Sequence, residues 1–238
     1  VSGKGVLEKA GKNIPDYFTT VLEFENGGVA AYAFLGDVAR APQTKVRSIF
    51  TWGHPIDDFR AYVRNMARLR LNRLYIWNNY PVVNAKEIVD YAHSWGVEVY
   101  WGFAWGWGTK CPDNWMRDTE ELAQEILAEW RGVWRDVPGD GIYFQTFTEC
   151  RDTPLDGGES IAARAVRLVN RVAGTMLAEK PEQKIVFGLH ATGVRDHLSE
   201  IAATDSRLEI LWEDTGHFPY NANGPKEDEA LTRRVLTN

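Results

Sequence analysis

From Val46 onward the sequence repeats one pattern, a short apolar run followed by an amphipathic stretch. The runs are KVRSIFTW (45–52), RLYIWNN (73–79), VEVYWGFAW (97–105), GIYFQTFTE (141–149), KIVFGLHAT (184–192) and LEILWED (208–214). The stretches between them have helical spacing. Phe59, Tyr62, Val63, Met66 and Leu69 recur three and four residues apart, and Ile161, Ala165, Leu168, Val169, Val172 and Met176 do the same. AKEIVDYAHSWG closes on Gly96, a good helix-ending residue, and Pro181 stops the long helix before it. Strands that alternate with helices predict βαβ units and a parallel sheet. Six in succession, with no glycine-rich phosphate loop after any of them, predict a (β/α)8 TIM-type barrel rather than an open dinucleotide-binding sheet.

The sequence stops at Asn238, in what reads as the helical stretch after the sixth strand. The expectation is therefore an α/β barrel truncated after about six βα units, with residues 46–238 as its catalytic domain. Such a piece is expected to need the missing strands for full activity. Residues 1–45 read differently. TTVLEFENGGVAAYAF places two apolar runs around Glu-Asn-Gly-Gly, a β-hairpin signal, and LGDVARAPQT follows as a linker. This predicts a small N-terminal β appendage.

At 44% hydrophobic and 25% charged, the 238 residues can bury a full core. A net charge of −6, with no basic stripe, argues against nucleic acid or an anionic membrane as partner. No apolar run approaches the ~20 residues of a membrane span. A soluble chain, cytoplasmic or secreted, is expected. Cys111 and Cys150 match no disulfide framework or metal spacing and are expected to be free thiols.

Parallel barrels build their sites at the C-terminal ends of the strands. Here those ends carry Trp52 and His54, then Trp77 and Asn78, then Trp101, Trp105 and Trp107. The fourth run ends in Thr148 and Glu149, the fifth in His190, and the sixth in Trp212, Glu213 and Asp214, with His217 just beyond. Trp95, Trp130 and Trp134 fall on helical stretches and read as packing residues. Large rings beside polar groups suit the apolar face of a sugar ring. The chemistry that uses two carboxylates between aromatic walls is glycoside hydrolysis, in which one acid protonates the leaving oxygen and the other attacks or activates water. Glu149 together with Glu213 or Asp214 would supply that pair. Trp52, His54, Trp77, Asn78, Trp105, Trp107, His190, Trp212 and His217 would bind the carbohydrate. No cofactor is expected.

The segment VRSIFTWGHPIDDFRAYVRNMARLRLNRLYIW, followed by EIVDYAHSWGVEVYWGF, resembles the opening of the barrel in β-hexosaminidase-like and α-glucuronidase-like glycosidases. The matching positions are Arg47, Met66, Ala67, Asn72, Tyr91, Ala92 and Gly96, and the resemblance covers about residues 45–150. It implies that Glu149, ending the fourth strand, is the general acid. In the β-hexosaminidases an Asp precedes that Glu and orients the substrate's acetamido group; here Thr148 precedes it, a departure from the pattern. In the α-glucuronidase-like enzymes late acidic residues act as base, which implies that role for Glu213 or Asp214. Two other functions fit the same residues. Glu149, His190 and Glu213 or Asp214 could bind a divalent ion in a sugar isomerase or epimerase. A non-catalytic carbohydrate-binding barrel could use the tryptophans alone.

Overall fold

The computed structural model describes residues 17–23, 29–35, 44–78, 80–106, 117–149, 158–190 and 196–213, with residues 42 and 194. Cys111 and Cys150 lie outside them, as does the stretch after the sixth run. Strands β1 (Tyr17–Glu23) and β2 (Val29–Leu35) pair antiparallel from Tyr17↔Leu35 to Glu23↔Val29, forming their own two-stranded sheet. Six further strands form a parallel sheet in sequential order: β3 (Ser48–Phe50), β4 (Arg73–Trp77), β5 (Glu98–Ala104), β6 (Gly141–Gln145), β7 (Lys184–His190) and β8 (Glu209–Glu213). Each lies inside one of the six apolar runs.

The chain divides into two compact units, one of Val1–Ile76 and Val82–Val99, the other of Trp77–Pro81 and Tyr100–Asn238. In the first, α1 (Phe59–Arg68) begins where the Asp58 carboxylate accepts the Ala61 N–H at 2.9 Å. Its apolar positions Val63 and Met66 are buried. Leu69 falls past the last turn instead and is 72% exposed, so the buried stripe ends earlier than its spacing suggests. Helix α2 (Ala85–Ser94) ends before Gly96, whose φ of +70° needs no strain without a Cβ. Arg47 and Asn72, two positions of the family resemblance, have a structural task. The Asn72 side chain accepts the Arg47 N–H and donates to the Lys45 carbonyl, both at 2.8 Å, so it ties the start of β3 to the turn before β4.

In the second unit, α3 (Thr119–Glu129) is capped by Asp118, which accepts from the Glu120 and Glu121 amides. It runs into a π-helical turn, Trp130–Trp134. Helix α4 (Ile161–Glu179) is capped by Ser160, and a short α5 (Leu198–Ile201) precedes β8. Ile161, Ala165, Leu168, Val169, Val172 and Met176 are all buried, as their spacing predicts. Trp130 and Trp134 are buried as well. Alternation along the strands separates two faces. Phe103 stacks on Trp134 at 5.2 Å between ring centres, which identifies the face toward the helical layer. That face continues through Trp105 on Phe144 at 3.6 Å and Phe144 on Phe187 at 4.9 Å. A pair at the spacing of Phe103–Trp134 or Phe144–Phe187 is worth about 0.5–1.5 kcal/mol beyond its burial.

The opposite face packs large rings into glycine gaps. A Cβ at Gly188 would stand 2.1 Å from the Tyr143 hydroxyl, and one at Gly102 would stand 2.8 Å from the Trp77 ring. Neither neighbour has room to yield, because Tyr143 is wholly buried and Trp77 nearly so. Gly174 is the contrast: it lies inside α4 with nothing within 4 Å of a built Cβ. In urea unfolding, Gly188→Ala is expected to cost about 1–3 kcal/mol by overpacking. Gly174→Ala should gain about 0.5–1 kcal/mol from helix propensity.

Candidate functional site

The C-terminal ends of β6, β7 and β8 are set side by side by their register. Gln145 pairs with Gly188, Gly188 with Leu211, and His190 with Glu213. His190 and Glu213 thus occupy one row across the two strands. Tyr143 and Gln145 are buried on β6 and joined, the Gln145 amide donating to the Tyr143 hydroxyl at 3.0 Å. The strand β6 ends at Gln145, not at Glu149. Glu149 is instead the last residue of a 3-10 turn, Phe147–Glu149. The physical reason is visible at the next strand. The His190 N–H donates to the Thr148 side-chain oxygen at 3.3 Å, so a hydroxyl takes the place that a continued ladder would give to a β6 carbonyl.

The aromatic residues at the strand ends separate by face. Trp77 closes β4 with 9% exposure and meets Tyr143 edge-on at 6.0 Å. Asn78 is half-buried and donates its N–H to the Gly102 carbonyl at 3.4 Å. Trp105 has no exposed surface and lies in the stacked layer toward the helices. It packs the core, and as placed it offers no ring to a sugar. Trp212 is half-buried and pairs with Leu189, one position out of step with His190. Asp214, Trp107 and His217 lie outside the described residues.

In the other unit, Trp52 and His54 occupy the turn after β3. His54 is exposed and donates its N–H to the Thr51 carbonyl at 2.9 Å. Trp52 is 46% exposed, meets Phe50 edge-on at 4.5 Å, and has a φ of +48°. A bulky residue in the left-handed region costs roughly 1–2 kcal/mol, and such strain tends to persist where a side chain has a task.

Strand-end reasoning misses two polar groups, Gln145 and Thr146, which are buried together with Thr148 at the end of β6. The signal for them is the polar alternation in GIYFQTFTE. Among the described residues no cluster of three His, Cys, Asp or Glu could hold a metal ion. The clear protonation shifts belong to structural pairs elsewhere. Arg207, through its side chain and its backbone N–H, holds Asp205 down to about 2 in the turn before β8. Burial pushes Glu129 up, opposed by the Trp134 indole N–H.

No protein-family model and no curated protein matches the chain. Solved structures do match it. One is a GH20 beta-N-acetylhexosaminidase from Streptomyces coelicolor A3(2), at 14% identity and a TM-score of 0.50, over 89% of this chain and 48% of that one. A family GH13_31 enzyme matches at 10% identity and a TM-score of 0.47, over 80% and 55%. The carboxyl transferase domain of Rhizobium etli pyruvate carboxylase matches at 11% and 0.42, over 71% and 27%. The chain spans about half the length of the first two. The likeness to the hexosaminidase is one of fold, an α/β architecture of the parallel-barrel type. Glycoside hydrolases recur among the matches.

The Trp52 backbone generates a test independent of any ligand. Trp52→Ala and Trp52→Gly both remove the ring, so their difference isolates the left-handed φ. Chemical denaturation is expected to find the glycine variant more stable than the alanine variant by about 1 kcal/mol.

Proposed function

We propose that this chain is the core of a glycoside hydrolase. Residues 46–238 form its catalytic domain and residues 1–45 a small β appendage. Glu149 is the general acid, and Glu213 or Asp214 is the second carboxylate, acting as nucleophile or base. The observation that carries this reading is the arrangement at the ends of β6, β7 and β8. The turn bearing Glu149 is tied to the last residue of β7, and that residue, His190, is the register partner of Glu213. One strand separates β6 from β8, which leaves room for a sugar between two carboxylates. The likeness of fold to a GH20 beta-N-acetylhexosaminidase supports the same class. Fold alone does not carry function, so the weight rests on the site.

Carbohydrate is the substrate. His190 and Asn78 are its hydrogen-bonding partners, and His54 and His217 are assigned to it by sequence position alone. Trp77 and Trp212 are its aromatic surfaces, and Trp52 and Trp107 are assigned to it by sequence position alone. Thr148 stands where the β-hexosaminidases carry an Asp, so the reaction uses a second protein carboxylate rather than the substrate's acetamido group. The acid must hold its proton near neutral pH, which apolar surroundings would favour by penalising the charged form.

Replacing Glu149 by Gln keeps the shape and removes the transferable proton. On glycosides with poor leaving groups, activity is expected to fall by ~10²–10⁴. Nitrophenyl glycosides, which need little protonation, should lose far less. Equal loss on both would assign Glu149 to binding instead. Glycan affinity without turnover in the complete barrel would reduce the protein to a carbohydrate-binding barrel.

A further inference from the structure

Thr148 has no exposed surface, and its side-chain oxygen is committed to another strand. It accepts the backbone N–H of His190 at 3.3 Å, across 42 residues of sequence. The hydroxyl therefore joins the Phe147–Glu149 turn to the last residue of β7, which is itself in register with Glu213 at the end of β8. Glu149 is the next residue along the turn. The sequence of links is short: a peptide bond, a hydrogen bond and a register pair. Without the hydroxyl, the His190 N–H would lose this acceptor in a part-buried setting, and the turn would lose this tie to β7.

We infer that Thr148 is a positioning residue. Its hydroxyl holds the Phe147–Glu149 turn against the end of β7 and so sets where Glu149 stands relative to His190 and to the end of β8. This rests on the reading of Glu149 as general acid. The role belongs to the oxygen and not to the bulk of the side chain. Thr148→Val keeps the volume and the β-branching and deletes the acceptor. Thr148→Ser keeps the acceptor and deletes only a methyl group.

The experiment combines two readouts on the full chain. Amide exchange at His190 is followed by NMR in the wild type and both variants. Turnover is measured on paired methyl and 4-nitrophenyl glycosides of whichever sugar the wild type hydrolyses. Loss of the acceptor is expected to speed His190 exchange in Thr148→Val by about tenfold or more. Misplacement of the acid should lower its kcat on the methyl glycoside by about tenfold at unchanged KM, with a smaller effect on the nitrophenyl substrate. Thr148→Ser should remain near the wild type in both. Unchanged exchange in Thr148→Val overturns the inference whatever turnover does. Faster exchange with wild-type kcat and leaving-group dependence overturns the positioning role while leaving the hydrolase reading intact. Absence of any glycoside hydrolysis by the barrel completed with its remaining strands overturns that reading, and the positioning role falls with it.

Discussion

The parallel register of β6, β7 and β8 is the constraint on which the rest of the second unit depends. It runs in step from Gly141↔Lys184 to Gln145↔Gly188, and on to His190↔Glu213. Because side chains alternate along a strand, a slip of one residue would exchange the two faces completely. The packing resists that slip from both sides. Phe144 and Phe187 stack only when they are opposite one another, and Tyr143 fits only over a residue without a Cβ. The same register that satisfies the core brings His190 beside Glu213. Their meeting is a consequence of packing several residues further down the strands.

At the end of β6 the backbone ladder gives way to side-chain chemistry. Regular pairing ends at Gln145, and the Thr148 hydroxyl supplies the next link to β7. A ladder bond leaves little choice in the direction of the next residue, whereas a turn held by one hydroxyl can present it at a different angle. The charge pairs of the unit serve other ends. Arg171 with Glu120 and Arg131 with Glu179 join α4 to the α3 region at exposed positions, where solvent screening leaves such pairs weak. The strongly perturbed carboxylate, Asp205, precedes β8 at the end of the strand away from His190.

Much of this is legible in the sequence. The six apolar runs contain the six strands, and the spacing of Ile161 through Met176 identifies the buried face of α4. Gly96 and Pro181 mark helix ends for local steric reasons that need no knowledge of the fold. The features that stay hidden depend on partners distant in sequence. Trp77 and Trp105 both end apolar runs, yet one faces Tyr143 and the other stacks in the layer toward the helices. Period-2 alternation assigns faces only relative to a register, and register is a contact between strands. The end of β6 is hidden for the same reason. GIYFQTFTE alternates as a strand throughout, yet the strand ends four residues before Glu149, where the Thr148 side chain accepts the His190 N–H.

The most direct measurement is the separation of carboxyl carbons in a crystal structure of the full chain, between Glu149 and whichever of Glu213 and Asp214 stands closer. Glycoside hydrolysis by paired acids requires about 5–5.5 Å for a retaining reaction or about 6.5–9.5 Å for an inverting one. A value in either range, with both carboxyls opening at the His190 end of the sheet, is the expected result. Carboxyls more than about 12 Å apart, or on opposite faces of the strands, would contradict hydrolysis by this pair.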